Sequence, residues 1–302
     1  MSTSYDPEVM ALLEASPTFI LYSPTGVGKT IQAVLAFPDA LFFTHNMDTY
    51  RSLAAFMVER PEEARKIGLL KLPKVIEIPE FRLPEAGEYG YETGQMISVS
   101  AYDEIRAWLA KIVAAKSAGG MTKLRGVIYD EWSFLADRVH KEMLDRSALK
   151  RTKLTITQGG SADGFAVNRE LVDFHRYVLS VAQATKLVFG FICHATQPSY
   201  FDATGQEANK IASAKRGALK YRGGPKLPTG TLMESFAAQC SFVLQLVAED
   251  EVGETQRFIL TEPNEFWVRK ARHFGLPAKI DLSKMNVRQM LQRAGCVPKD
   301  AQ

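Results

Sequence analysis

The chain has 302 residues, 46% hydrophobic and 24% charged, and a net charge of only +3. That is enough length and apolar content for a sizeable buried core, and any nucleic-acid role must come from local basic clusters rather than from bulk charge. Its three cysteines, Cys193, Cys240 and Cys296, are widely spaced and form no CxxC pair, which argues against a disulfide framework or a zinc site and fits a reducing cytoplasm.

The opening stretch "MSTSYDPEVMALLEA" lacks the apolar centre of a signal peptide, and no run approaches the ~18 apolar residues of a membrane span. A cytoplasmic protein without a membrane partner is expected. The first strand is predicted at 18–22, "TFILY", and "SPTGVGKT" follows it directly at 23–30. This is the GxxxxGK[ST] pattern with Ser23 at its first glycine. The pattern needs backbone N–H groups turned inward around phosphates, a lysine reaching the terminal phosphates and a hydroxyl on Mg²⁺. Gly26 and Gly28 relieve the steric limits of such a loop, Lys29 supplies the charge and Thr30 the hydroxyl. A helix predicted over 29–37 points its positive end at the anion. Ser23 sits where the loop leaves the strand, so its departure from glycine should cost little. Pro24, Thr25, Gly26, Val27, Gly28, Lys29, Thr30 and Ile31 are the predicted nucleotide-binding residues.

Further strands are predicted at 40–44, 124–130, 186–194, 241–247, 257–261 and 266–270, with the last two read as an antiparallel pair. "GVIYD" and "LVFGFIC" are continuous apolar runs, as in strands buried on both faces of a parallel sheet. Helices are predicted over 101–115, with Ser100 as N-cap and Asp103 closing a weak capping box, over 170–184, and in "SKMNVRQMLQRAG" with Gly295 as the stop. Residues 158–164, "QGGSADG", and 195–234 fit no regular element. The expected architecture is α/β: one domain with a mostly parallel central sheet flanked by helices, a core over about 16–283, antiparallel strands late in the chain, and a C-terminal helix and tail over 284–302.

The strand at 124–130 ends in Asp130, placed to hold Mg²⁺ together with Thr30, and Glu131 next to it is the candidate for polarising the attacking water. No guanine-type NKxD motif occurs, so the nucleotide is expected to be ATP. The strand at 186–194 ends in His194, a candidate contact for the γ-phosphate. Tyr50 or Tyr102 could stack on the base. Between Ala208 and Met233 lie six basic residues (Lys210, Lys215, Arg216, Lys220, Arg222 and Lys226) with no Asp or Glu among them. A second acid-free basic run spans 146–153.

With these motifs the chain resembles the RecA-like branch of P-loop ATPases, and within it the phage-encoded, AAA-type nucleotide-binding proteins that include small single-strand-annealing recombinases. "SPTGVGKT" and "GVIYDEWS" mark P-loop ATPases in general. "FICHATQ", "YRGGPKLPTG" and "WVRKARHFGLPAKIDL" carry the narrower likeness, and together the motifs span most of 18–282. The resemblance implies a RecA-like fold and self-association in a ring or filament, with nucleotide between subunits. A neighbour's Lys270 and Arg272 would act as a K-x-R finger on the γ-phosphate. It also implies that Lys215, Arg216, Lys220, Tyr221, Arg222 and Lys226 face single-stranded DNA. The expected function is a Mg²⁺-dependent ATPase that binds DNA in phage-type recombination, annealing or repair. The alternatives are an ATP-driven motor, loader or assembly factor with a protein partner, or a nucleotide-gated structural protein with little turnover.

Overall fold

A computed structural model describes residues 17–86, 88, 91–151, 161–201, 207–208, 219–251, 254–271 and 276–294. In chain order the elements are β1 (Thr18–Ser23), α1 (Lys29–Ala36), β2 (Ala40–Thr44), α2 (Asp48–Glu59), α3 (Pro61–Lys66), β3 (Lys74–Glu77), β4 (Phe81–Arg82), β5 (Ile97–Ser98), α4 (Ala101–Ser117), β6 (Gly126–Asp130) and α5 (Trp132–Arg151). There follow α6 (Ser161–Thr185), β7 (Val188–Thr196), β8 (Ser199–Phe201), β9 (Glu207–Ala208), β10 (Leu219–Tyr221), β11 (Gly224–Pro225), α7 (Gly230–Gln239), β12 (Phe242–Glu251), β13 (Glu254–Leu260), β14 (Lys270–Ala271), β15 (Lys279–Asp281) and α8 (Val287–Arg293).

The main sheet runs β15-β13-β12-β1-β7-β6-β2-β3. From β12 to β3 every neighbouring pair is parallel, whereas β13, β14 and β15 pair antiparallel. Side chains alternate between the two faces, as the pleat requires. Ile20, Tyr22, Val127, Tyr129, Phe189 and Phe191 pack under α4, α5, α6 and α7. Phe19, Leu21, Ile128 and Ile192 pack under α1, α2 and α8. The predicted α/β class is therefore present. β7, which carries His194, lies between the loop-bearing β1 and the β6 that ends in Asp130. All three strands run the same way, so their polar tips meet along one edge, where ligands of open α/β sheets bind.

Several local expectations change. Residues 161–164, read as part of a glycine-rich loop, begin the helix α6. Packing of the α6 apolar face, including Leu171, Phe174 and Val178, outweighs the poor helix propensity of Gly164. The segment 266–270 does not pair with 257–261: Lys270–Ala271 pairs with β12, and β13 takes β12 and β15 as its partners. Ser100 does cap α4, accepting from the Asp103 N–H at 3.1 Å. The Asp103 carboxylate, however, goes to Arg146 at 2.6 Å rather than back to the cap. Glu142 of α5 accepts from the Ala101 and Tyr102 amides in its place. Arg146 thus belongs to a helix and an ion pair, not to a loop. Asn286 and Gln289 form a full capping box on α8, and Gly295 lies outside the described residues.

Candidate nucleotide site

The loop after β1 turns through two left-handed glycines, Gly26 at φ 85° and Gly28 at φ 98°. A Cβ on Gly28 would also lie 3.3 Å from the Ile31 side chain and 3.4 Å from Arg257 Nε. Glycine is required there on both counts. Pro24, Thr25 and Gly26 are exposed, Val27, Gly28, Thr30 and Ile31 are half-buried, and Lys29 is buried. Lys29 Nζ donates to the carbonyls of Ser23 and Pro24, both at 3.1 Å, so the ammonium is folded across the mouth of its own loop. Burial lowers its pKa, and the nearby Glu131 and Asp130 oppose that shift. Ser23 itself is buried and bonds the Pro24 carbonyl, outside the loop's open face.

Across the sheet edge, Thr30 Oγ1 donates to Asp130, 3.1 Å from Oδ1 and 3.0 Å from Oδ2. Tyr50, buried on α2, donates its hydroxyl to Oδ2 at 2.8 Å. Burial raises the Asp130 carboxyl above its ordinary value, and the bonds from Tyr50 and Thr30 counter the rise. A hydroxyl and a carboxylate sharing one pocket are the hard oxygen donors that Mg²⁺ takes. Thr30 and Asp130 would hold the ion.

Next to them, Glu131 Oε1 lies 2.5 Å from His194 Nε2. The two groups are in contact without the alignment of a side-chain hydrogen bond. Burial pushes the Glu131 carboxyl up to about 7; Asp130 adds to the rise, while Lys29 and Lys226 reduce it. His194 meets the loop through Thr25 Oγ1, 3.3 Å from Nδ1, and its amide donates to Ser133 Oγ at 3.0 Å. Its pKa is lowered by burial and then by the charges of Lys29 and Lys226.

The structure therefore brings together Lys29, Thr30, Asp130, Glu131 and His194, drawn from three strand ends. It does not bring Lys270 to this chain's own loop. Lys270 pairs with Val243, which stands level with Ile20, well below the loop, and its Nζ donates to the Ala238 carbonyl at the end of α7 at 2.5 Å. Arg272, Lys215 and Arg216 lie outside the described residues. The backbones of Lys220 and Tyr221 are in β10, and Arg222 is exposed just after it. Neither tyrosine proposed for base stacking is free to do so. Tyr50 is consumed by Asp130, and Tyr102 packs on Phe174, beneath the opposite face of the sheet.

Tyr50 as an Asp130 partner and Arg257 as a brace of the loop were not legible in the sequence. Arg257, on β13, donates from Nε to the Val27 carbonyl at 2.9 Å, although 230 residues separate the two. It also lines a cavity of about 1140 Å³, with Gln32, Leu35, Phe56, Met285 and Gln289 among its walls. No local motif marks either residue, because each contact is made by strand order alone.

No family model and no curated protein matches the sequence. Solved structures do match. One is a KaiC-like protein of the hyperthermophilic archaeon Pyrococcus horikoshii, at 11% identity and a TM-score of 0.36 over 81% of this chain and 77% of that one. The strand order and the loop of this chain carry the fold assignment without it.

Proposed function

We propose that the protein is a Mg²⁺-dependent ATPase. One observation carries this reading: the loop's Thr30 hydroxyl sits within 3.1 Å of both Asp130 oxygens, with Glu131 and His194 adjoining at the same sheet edge. Mg²⁺, when bound, supplies neutralisation of phosphate charge. The backbone amides of residues 26–30 are assigned to the phosphates. Lys29 exchanges the Ser23 and Pro24 carbonyls for phosphate oxygens, Glu131 accepts the proton of the attacking water, and His194 holds the Glu131 carboxylate in place. Base and ribose are assigned to the cavity lined by Gln32, Leu35 and Arg257, the last of which braces the Val27 carbonyl. Phosphate release from ATP by the purified chain, lost in Lys29→Ala, tests the reading. An inert protein that binds no nucleotide would refute it.

We further propose that the ATPase works on single-stranded DNA and self-associates around it. The support is compositional: six basic residues without an acid between Ala208 and Met233, on the excursion that leaves and rejoins the His194 strand. A neighbour's Lys270 and Arg272 would then complete the site in trans. A protein partner is the competing reading, favoured by exposed Phe81 on β4 and exposed Leu83, Tyr91 and Met96 on the excursion between β4 and β5. ATPase measured with and without an oligonucleotide, at low and moderate salt, separates the two, since phosphate contacts weaken steeply with salt.

A further inference from the structure

Lys226 stands in the sequence as the last of six basic residues suited to strand phosphates, but the fold gives it another neighbourhood. β11 folds back antiparallel onto the tip of β7, with Pro225 opposite Ala195 and Gly224 opposite Thr196. The following amide, that of Lys226, donates to the His194 carbonyl at 2.7 Å. This return is held tightly. Gly223 bonds Phe266 and Val268 through its N–H and carbonyl, each at 2.8 Å. A Cβ on Gly223 would fall 2.7 Å from the Trp267 ring, and one on Gly224 2.9 Å from Met233 Sδ.

Lys226 is thus pinned to the residue whose ring meets both Glu131 and the loop's Thr25. Lys226 is exposed, and its charge bears on both Glu131 and His194. Lys270, by contrast, is tied to the end of α7.

We propose that Lys226 is a catalytic cation of its own chain's nucleotide site, contacting the terminal phosphate as a second lysine beside Lys29. The inference rests on the ATPase reading. In the step it serves, the water oxygen bonds to the γ-phosphorus and its proton passes to Glu131. The bond from the γ-phosphorus to the β,γ-bridging oxygen breaks, and ADP leaves with the electron pair. Lys226 neutralises charge on the γ-oxygens as this happens.

The test compares ATP and ADP binding in a Glu131→Gln background, where hydrolysis is slowed. Lys226→Ala is expected to weaken ATP about tenfold, the scale of a charge-assisted bond, and to leave ADP unchanged. Lys226→Arg should restore most of the loss. With Glu131 intact, kcat without DNA should fall in Lys226→Ala even at dilutions where the chain is monomeric. Equal losses for ATP and ADP would mean a disturbed fold and overturn the proposal. Unchanged nucleotide binding with weakened oligonucleotide binding would return Lys226 to the strand and also overturn it. A Glu131→Gln chain with Lys226 intact that binds no nucleotide would defeat the ATPase reading itself, and this one with it.

Discussion

Asp130 receives hydroxyls from two distant parts of the chain, Thr30 from 100 residues away and Tyr50 from 80. An outer partner such as the Tyr50 hydroxyl fixes the orientation of a proposed metal ligand, and loss of such a partner commonly weakens metal binding by about tenfold or more. Tyr50→Phe should therefore raise the Mg²⁺ concentration needed for half-maximal activity by about that factor, with kcat at saturating Mg²⁺ largely kept. A Mg²⁺ titration at fixed ATP reads this directly, and Mn²⁺ binding followed by its paramagnetic resonance should shift in parallel. Glu131→Gln should bind ATP yet lose about 10²–10⁴ in turnover, the range of a general base. If that variant keeps wild-type turnover, the base lies elsewhere. The loop residues, Asp130 and Glu131 were legible as types because one strand and one motif specify them. Tyr50 was legible only as an aromatic, since its role depends on α2 packing over β2 and reaching the tip of β6.

Among the elements, β7 carries the tightest constraint. It lies between β1 and β6, and Gly190 at its middle has no room for a side chain: a Cβ would stand 2.3 Å from Phe19 Cζ and 2.6 Å from Ile128 Cδ1. Gly190→Ala should cost about 1–3 kcal/mol, as overpacking of a well-packed core does, and lower the melting temperature accordingly. An unchanged melting curve would mean that Phe19 and Ile128 can yield. The apolar runs at 18–22, 40–44 and 124–130 were readable because parallel strands buried on both faces advertise themselves by continuous hydrophobicity. β3, half-buried at the sheet edge, gave no such signal, and neither did α2, of which only Tyr50 is fully buried. The early start of α6 was hidden because its first turn is built from residues that favour loops.

At the scale of the molecule, two cores cover the two faces of one sheet, and the aromatic core under α5, α6 and α7 holds His175. This histidine packs on Trp132 and Phe236, bonds the Leu171 carbonyl through Nδ1 at 2.7 Å and leaves Nε2 unpartnered. Burial lowers its pKa from 6.5 to about 4. The unfolded chain therefore takes up the proton first as pH falls. The stability tied to neutral His175 is complete above pH 6.5 and drains away toward pH 4, by about 3 kcal/mol in all. Wild-type protein should lose more melting temperature between pH 7.5 and pH 5 than His175→Gln does. Equal slopes would show that His175 titrates alike in both states.

Taken by itself, the sequence marked the glycine-bearing loop at 23–30, the strand-end Asp130 with Glu131 beside it, and the parallel α/β class. Each of these is written in contiguous residues, where spacing and burial pattern are local properties. Tertiary structure alone decided which distant groups meet at this edge: the Tyr50 hydroxyl on Asp130, Arg257 on the Val27 carbonyl, and the Lys226 amide on the His194 carbonyl. The physical reason is that strand order and sheet register set these neighbours. Both are long-range choices, made by burying two apolar faces at once, and no window of sequence contains them.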